Sequence, residues 1–233
     1  MSSPVAVVTG TTSGIGEAIA RMLLTQGWSV CGLARRPATI ADVRYQHHVV
    51  DLTDLAAVSS CIEMIEGQSP EIGLLVNNAG IGYFAPHEEL SLRQIQEMVA
   101  LNLTAPLILT RGFLRALKRT QGWIINIASF SAHESSSFGA AYAATKAGVQ
   151  HFGDSLFDEV RKSGVRVATI SPDITRTPFF DNLNFSPEDD PVAAITPECI
   201  AESVQSILAQ RPGTVVTNIV IRPQRLLLKK GRR

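Results

Sequence analysis

An excess charge of either sign is the first thing missing from this 233-residue chain. Lys and Arg together number 21, as do Asp and Glu, so the formal net charge is zero. A chain without an overall field has no long-range pull toward nucleic acid or an anionic membrane, and neither is an expected partner. Cysteine is scarce and odd in number. Cys31, Cys61 and Cys199 are scattered, without the close pairing that holds a metal. Reduced thiols and no metal site are expected. No stretch approaches the ~18 consecutive apolar residues of a membrane span. Met1-Ser2-Ser3-Pro4 lacks the basic region and apolar run of a secretory leader. A cytoplasmic protein is expected. No linker, repeat or low-complexity segment divides residues 1–233, which read as one domain. The basic tail from Leu226 to Arg233 reads as a frayed, solvated end.

What is present is a regular alternation. Short runs rich in Val and Ile, at Val5–Val8, Trp28–Ala34, His48–Val50, Gly73–Val76, Trp123–Ala128, Val165–Ile170 and Val215–Ile221, predict strands. Between them, Gly14–Gln26, Leu55–Ile65, Ser91–Lys118, Ala141–Lys162 and Pro197–Gln210 have helical period. Pro106 should bend the long third helix, and Thr196 with Pro197 makes a reasonable start for the last. Strands that are apolar throughout and alternate with helices imply a parallel sheet covered on both faces. The fold class is α/β, doubly wound, of the Rossmann type. The long irregular piece from Pro178 to Ile195 is expected to be a lid or disordered.

Directly after the first strand comes Thr9-Gly10-Thr11-Thr12-Ser13-Gly14-Ile15-Gly16. Glycines let the backbone turn sharply and approach a ligand, and the helix that follows presents amides and a dipole to a pyrophosphate. Gly10, Thr12, Ser13, Gly14, Ile15 and Gly16 are the candidate cradle. The turn lacks the Gly-Lys-Ser/Thr ending of a nucleoside-triphosphatase loop. The second strand ends Ala34-Arg35-Arg36, without the acid that takes a ribose 2′-hydroxyl. A guanidinium there suits a 2′-phosphate, so NADP(H) is preferred, with NAD(H) possible. Asp51 and Leu52, after the third strand, should lie near the adenine.

Tyr142 and Lys146 sit four residues apart on a predicted helix and so share a face. A cation beside a phenol favours phenolate and should lower the tyrosine pKa, making it a usable acid/base. Ser129 precedes Tyr142, after the fifth strand. Taken in order, the glycine turn, Asn77-Asn78-Ala79-Gly80, Asn102, Ser129 and Tyr142-x-x-x-Lys146 resemble the short-chain dehydrogenase/reductase family, from Thr9 to about Ile221.

The resemblance implies Ser129, Tyr142 and Lys146 as catalytic residues with Asn102 as the fourth, and Asn78, Ala79 and Gly80 in the cofactor site. It places the nicotinamide carboxamide against the backbone near Ile174 and the hydroxyl of Thr177. Tyr142 and Lys146 also contact cofactor in that reading. Asp173 stands where the family has Gly; a positive φ there would strain it. The implied activity is hydride transfer between nicotinamide and a small carbonyl or secondary alcohol, with Tyr142 as general acid/base. An alternative is a non-catalytic NADP-sensing regulator on the same fold, and a further one is an acyl-carrier-linked ketoreductase that docks through the basic tail. The helices from Ser91 and Ala141 imply a homo-oligomer, dimer or tetramer. Tyr83, Phe84 and His133 are possible substrate contacts. Phe179, Phe180, Leu183 and Phe185 in the lid favour an apolar or mixed substrate. His47 and His48 have no partner in view.

Overall fold

The computed structural model describes residues 3–69, 71–181 and 183–230. Seven strands form one parallel sheet: β1 (Val5–Thr9), β2 (Ser29–Ala34), β3 (Tyr45–Val49), β4 (Ile72–Asn77), β5 (Trp123–Ile127), β6 (Arg166–Pro172) and β8 (Asn218–Ile221), in the order β3-β2-β1-β4-β5-β6-β8. The remaining two, β7 (Phe185–Pro187) and β9 (Leu228–Lys230), pair antiparallel beside it. Strand order reverses between β1 and β4, which opens the crevice where such sheets bind ligands.

Helices α1 (Gly14–Thr25) and α6 (Pro197–Leu208) cover one face of the sheet. Helices α2 (Leu55–Gln68), α4 (Ala105–Thr120) and α5 (Ala140–Val160) cover the other. Period-two alternation explains why the strands read as unbroken apolar runs. In β1, Ala6 and Val8 bury against Ile19, Leu23, Ile200 and Val204, while Val7 faces the core containing Val58, Ile65, Leu109 and Phe113. A chain buried on both sides has no polar face to show.

The third strand is two residues longer than expected and starts three earlier, because Tyr45 and His47 alternate with exposed Gln46 on a sheet edge. The last strand is shorter, starting at Asn218, although Val215 and Val216 still pack on the α1/α6 core. The helix from Ser91 is not continuous. It runs as α3 (Leu92–Val99), a π-helical stretch over Ala100–Thr104, and then α4. Ser91 starts it with a capping box closed by Gln94. Pro106, in the first turn of α4, supplies no N–H to the preceding turn, and the widened stretch lies immediately before it.

The tail does not behave as a free end. Leu228–Lys230 adds a strand to the lid, Lys229 Nζ lies 2.8 Å from Asp189, and the Glu188 amide donates to Leu227 O. Backbone pairing and the Lys229 ion pair hold this segment although Leu226 and Leu228 stay exposed, so the frayed-end expectation fails for residues 226–230; residues 231–233 lie outside the described ones. The same pairing orders Pro178–Ile195, which holds two short 3-10 turns and β7.

Candidate active site

At the carboxyl ends of β1 and β4 the crevice is held open by one threonine. The buried Thr9 hydroxyl accepts from the amides of Asn78 (2.8 Å) and Ala79 (2.9 Å) and donates to Val76 O. The Asn78 side chain returns a bond to Thr9 O at 2.8 Å. Gly10 and Gly14 take φ of 72° and 60°, conformations that favour glycine. A Cβ at Gly16 would collide with the Gly10 carbonyl and the Asn78 amide, so the helix starts hard against the turn. Ser13, the N-cap of α1, makes no side-chain cap bond, which leaves the first-turn amides for an outside anion. These features fit a dinucleotide phosphate cradle. Gly10, Thr12, Ser13, Gly14 and Ile15 line a cleft of about 1610 Å³ together with Arg35, Arg36, Asp51, Leu52, Asn78, Ala79, Gly80, Ile174 and Thr177. Of the expected cofactor residues, Gly16 alone is beneath the turn rather than on the cleft wall.

The other half of the cleft is built on α5, β5 and the π-helical stretch. Ser129, Tyr142 and Lys146 all line it and are all buried, Tyr142 at 8% and Lys146 at 5% exposure. Ser129 hydrogen-bonds Tyr142 and also takes the Ser131 amide. Lys146 Nζ donates to Ile127 O at 3.0 Å and lies 5.9 Å from the centre of the Tyr142 ring. Burial pushes the phenol up to about 12, against the opposite pull of Ser129, and burial also brings Lys146 down to about 8. The expected acidification of Tyr142 by Lys146 is therefore absent from this arrangement. The amine donates to the Ile127 carbonyl, and desolvation of the ring outweighs the Ser129 hydrogen bond. Asn102, buried in the π-helical stretch, accepts from the Ile81 amide (2.9 Å) and donates to Ile81 O (2.8 Å) and Thr145 Oγ1 (3.1 Å). Its side chain thus ties the Gly80–Ile81 loop to α5. A Cβ at Gly80 would sit 3.4 Å from Lys146 Nζ and 3.3 Å from Asn102 Oδ1.

The family model for short chain dehydrogenase matches residues 4–187. The chain belongs to the short-chain dehydrogenase family. It is 34% identical over 180 residues to the serine 3-dehydrogenase of Agrobacterium fabrum, covering 74% of this chain and 72% of that one. Among solved structures, a Thermococcus sibiricus alcohol dehydrogenase complexed with 5-hydroxy-NADP superposes with a TM-score of 0.85 at 26% identity, over 95% of this chain and 97% of that one. A metagenomic short-chain oxidoreductase in complex with NADP does so with a TM-score of 0.80 at 30% identity, over 96% and 98%.

Within this short-chain dehydrogenase several positions differ from sequence expectation. Asp173 does not have a positive φ, so the strain expected of a non-glycine residue there is absent. Its carboxylate accepts from the Ile174 amide at 2.9 Å and pairs with Arg222 Nε at 3.0 Å, and Arg222 lies over the Phe130 ring at 3.9 Å. The Ile174 amide, expected to face a carboxamide, is thus already engaged. His133 does not line the cleft; its Nε2 lies 3.0 Å from Ser171 Oγ, which in turn reaches Gln150. His47 does have a partner, Tyr45 Oη at 3.1 Å, and Tyr45 contacts Thr11 at 2.7 Å. The Thr53 amide and hydroxyl hold the Asp51 carboxyl below its ordinary value, with Arg35 acting in the same sense. Sequence reasoning missed Thr145, which joins Asn102 to the Tyr142 carbonyl. Thr145 carries no motif signal, since a threonine inside a helix reads as filler. Tyr83 and Phe84 line the cleft as expected, and Tyr83 Oη donates to Glu97 at 2.8 Å.

Proposed function

We propose that the chain is an NADP(H)-dependent oxidoreductase that transfers a hydride between nicotinamide and a small carbonyl or secondary alcohol. The single observation that carries the reading is the convergence of buried Ser129, Tyr142 and Lys146 on one wall of the cleft whose other half is the glycine cradle. Gly10, Thr12, Ser13, Gly14 and Ile15 would hold the pyrophosphate, Arg35 and Arg36 the 2′-phosphate, and Asp51 and Leu52 the adenine. Asn78, Ala79, Gly80, Ile174 and Thr177 would frame the nicotinamide half. When bound, the cofactor supplies the hydride chemistry.

The chain's own residues manage the proton. Pushed up to about 12 by burial, the Tyr142 phenol keeps its proton across the neutral range, and its place on the cleft wall is where it would donate to a carbonyl oxygen. Ser129 bonds the same hydroxyl and fixes where the developing alkoxide would sit. Lys146, held by Ile127 O beside Gly80, is placed to contact the ribose and return a proton to Tyr142. Asn102 keeps Gly80 and α5 at fixed separation through Ile81 and Thr145. The cofactor and substrate sites belong to one domain of a cytoplasmic enzyme. A homo-oligomer formed through α4 and α5 is supported by the exposed Val99 and Leu107 along the α3–α4 rod.

A panel of ketones and aldehydes followed by NADPH absorbance, with NADH alongside, tests the reading. Reduction of at least some carbonyls that vanishes in Tyr142→Phe is the expected result. NADPH binding without turnover of any carbonyl would instead leave a dinucleotide sensor.

A further inference from the structure

Four phenylalanines cluster beside Tyr142, two of them against its ring, and they come from three separate segments. Phe84 follows β4, Phe179 and Phe180 open the lid, and Phe185 lies in β7. Phe84 is the pivot, with its ring centre 5.2 Å from Tyr142, 5.3 Å from Phe185 and 6.4 Å from Phe179. Phe179 also stands 6.0 Å from Tyr142, and Phe180 joins Phe179 at 5.4 Å and Phe185 at 5.8 Å. All these pairs are tilted or edge-to-face, the arrangement aromatic quadrupoles favour, and it leaves ring faces and edges for another ring. Leu226 and Leu228 of the tail line the same cleft. They are kept there because β9 is paired to β7.

Charge is distributed quite differently. The cleft-lining Arg35 and Arg36 follow β2, on the dinucleotide half. Arg93 is engaged by Glu97 at 2.7 Å, and Lys229 of β9 by Asp189 at 2.8 Å. Among the described residues, the aromatic end of the cleft has no cation besides Lys146, which is directed at Ile127 O. A substrate carboxylate entering there would lose its water without gaining a counter-ion. The serine substrate named for the Agrobacterium relative carries such a group.

We propose that the site takes uncharged carbonyl compounds bearing an aryl or bulky apolar substituent next to the carbonyl, and discriminates against carboxylated substrates. The inference rests on the oxidoreductase reading and gives its substrate class. Phe138 fits the same role at the rim: it is 64% exposed with φ of 61°, a conformation bulky residues rarely adopt, and it lines the cleft mouth.

Ethyl benzoylformate and benzoylformate share one skeleton and differ in the charge. With NADPH, kcat/KM for the ester should exceed that for the acid by at least about a hundredfold. Calorimetric binding of each to the NADP-loaded protein should show the same preference without relying on turnover. Phe179→Ala and Phe185→Ala should each raise KM for the ester while leaving NADPH binding unchanged. Equal or better use of the acid overturns the proposal, and so does an acid preference that disappears in R232Q/R233Q. Preferential binding of the ester with no turnover of any carbonyl leaves the apolar pocket standing and removes the enzyme reading. Turnover of small ketones without ester preference removes the substrate class and keeps the enzyme.

Discussion

Replacing Lys146 with Met should stabilise this protein while abolishing its proposed activity. Lys146 is buried at 5% exposure, and burial lowers its amine from 10.5 to about 8. Each pKa unit corresponds to about 1.4 kcal/mol, so at pH 7 holding the protonated amine inside costs about 3 kcal/mol relative to the unfolded chain. Methionine fills similar space without charge. The loss of the bond to Ile127 O takes back about 1 kcal/mol, leaving a gain of about 2 kcal/mol. For a chain of this length that is a rise in melting temperature on the order of 5 °C. The sign follows from proton counting. Below pH 8 the amine is protonated folded and unfolded, and the full penalty applies. Between pH 8 and 10.5 the folded amine loses its proton while the unfolded one keeps it, so the wild type recovers stability as pH rises. The advantage of Lys146→Met should therefore shrink across that window and vanish above it. Calorimetric melts of both proteins without nucleotide, from pH 6.5 to 10.5, measure it. A variant that melts no higher than wild type at pH 7, or whose advantage is flat with pH, refutes the reasoning.

Tyr142→Phe should lose turnover by about 10³-fold or more, since a positioned proton donor is removed, while its NADPH affinity by fluorescence titration stays within about twofold. Arg35→Ala should raise KM for NADPH by about tenfold or more and leave that for NADH nearly unchanged; equal effects on both would remove the 2′-phosphate assignment. Gly16→Ala should fail to bind either dinucleotide, because the added methyl meets the Gly10 carbonyl and Asn78, and its melting temperature should drop as well. Asp173→Gly frees the Ile174 amide and should tighten NADPH binding several-fold. Its stability should change by less than about 1 kcal/mol, as the Arg222 left behind is half exposed and can be solvated.

Most of the fold was legible because both faces of the sheet are covered, so burial wrote itself into β1, β4, β5 and β6 as unbroken apolar runs. Edge strands carry a weaker signal. In β3, Gln46 and His47 interrupt the pattern because one side meets solvent, and only the end of the strand was apparent. Long-range pairing leaves less trace still. Nothing local in Leu228-Lys229-Lys230 says that it will meet Phe185-Ser186-Pro187 across some forty residues, and a charged tail read alone looks solvated. The site residues were recoverable as an ordered set of motifs, yet their environment was not. Spacing places Lys146 one helical turn from Tyr142, but whether its amine faces the phenol or Ile127 O is decided by the end of β5, a different strand.

That difference bears on the resting protonation of the site. The same cause, removal from water, moves the Tyr142 phenol up and the Lys146 amine down, so both groups are driven toward their neutral forms. A neutral phenol held by Ser129 is ready to give a proton to an oxygen that is gaining charge. Taking a proton from an alcohol would first require ionising a ring in a pocket walled by Phe84 and Phe179, with the Lys146 amine bonded to Ile127 O and 5.9 Å from the ring centre. The aromatic enclosure proposed to select an apolar substrate therefore also keeps the resting Tyr142 phenol protonated. By this argument the free protein presents Tyr142 in its protonated form, the one that gives a proton to a developing alkoxide, and Lys146 serves more for placing partners than for acidifying the phenol.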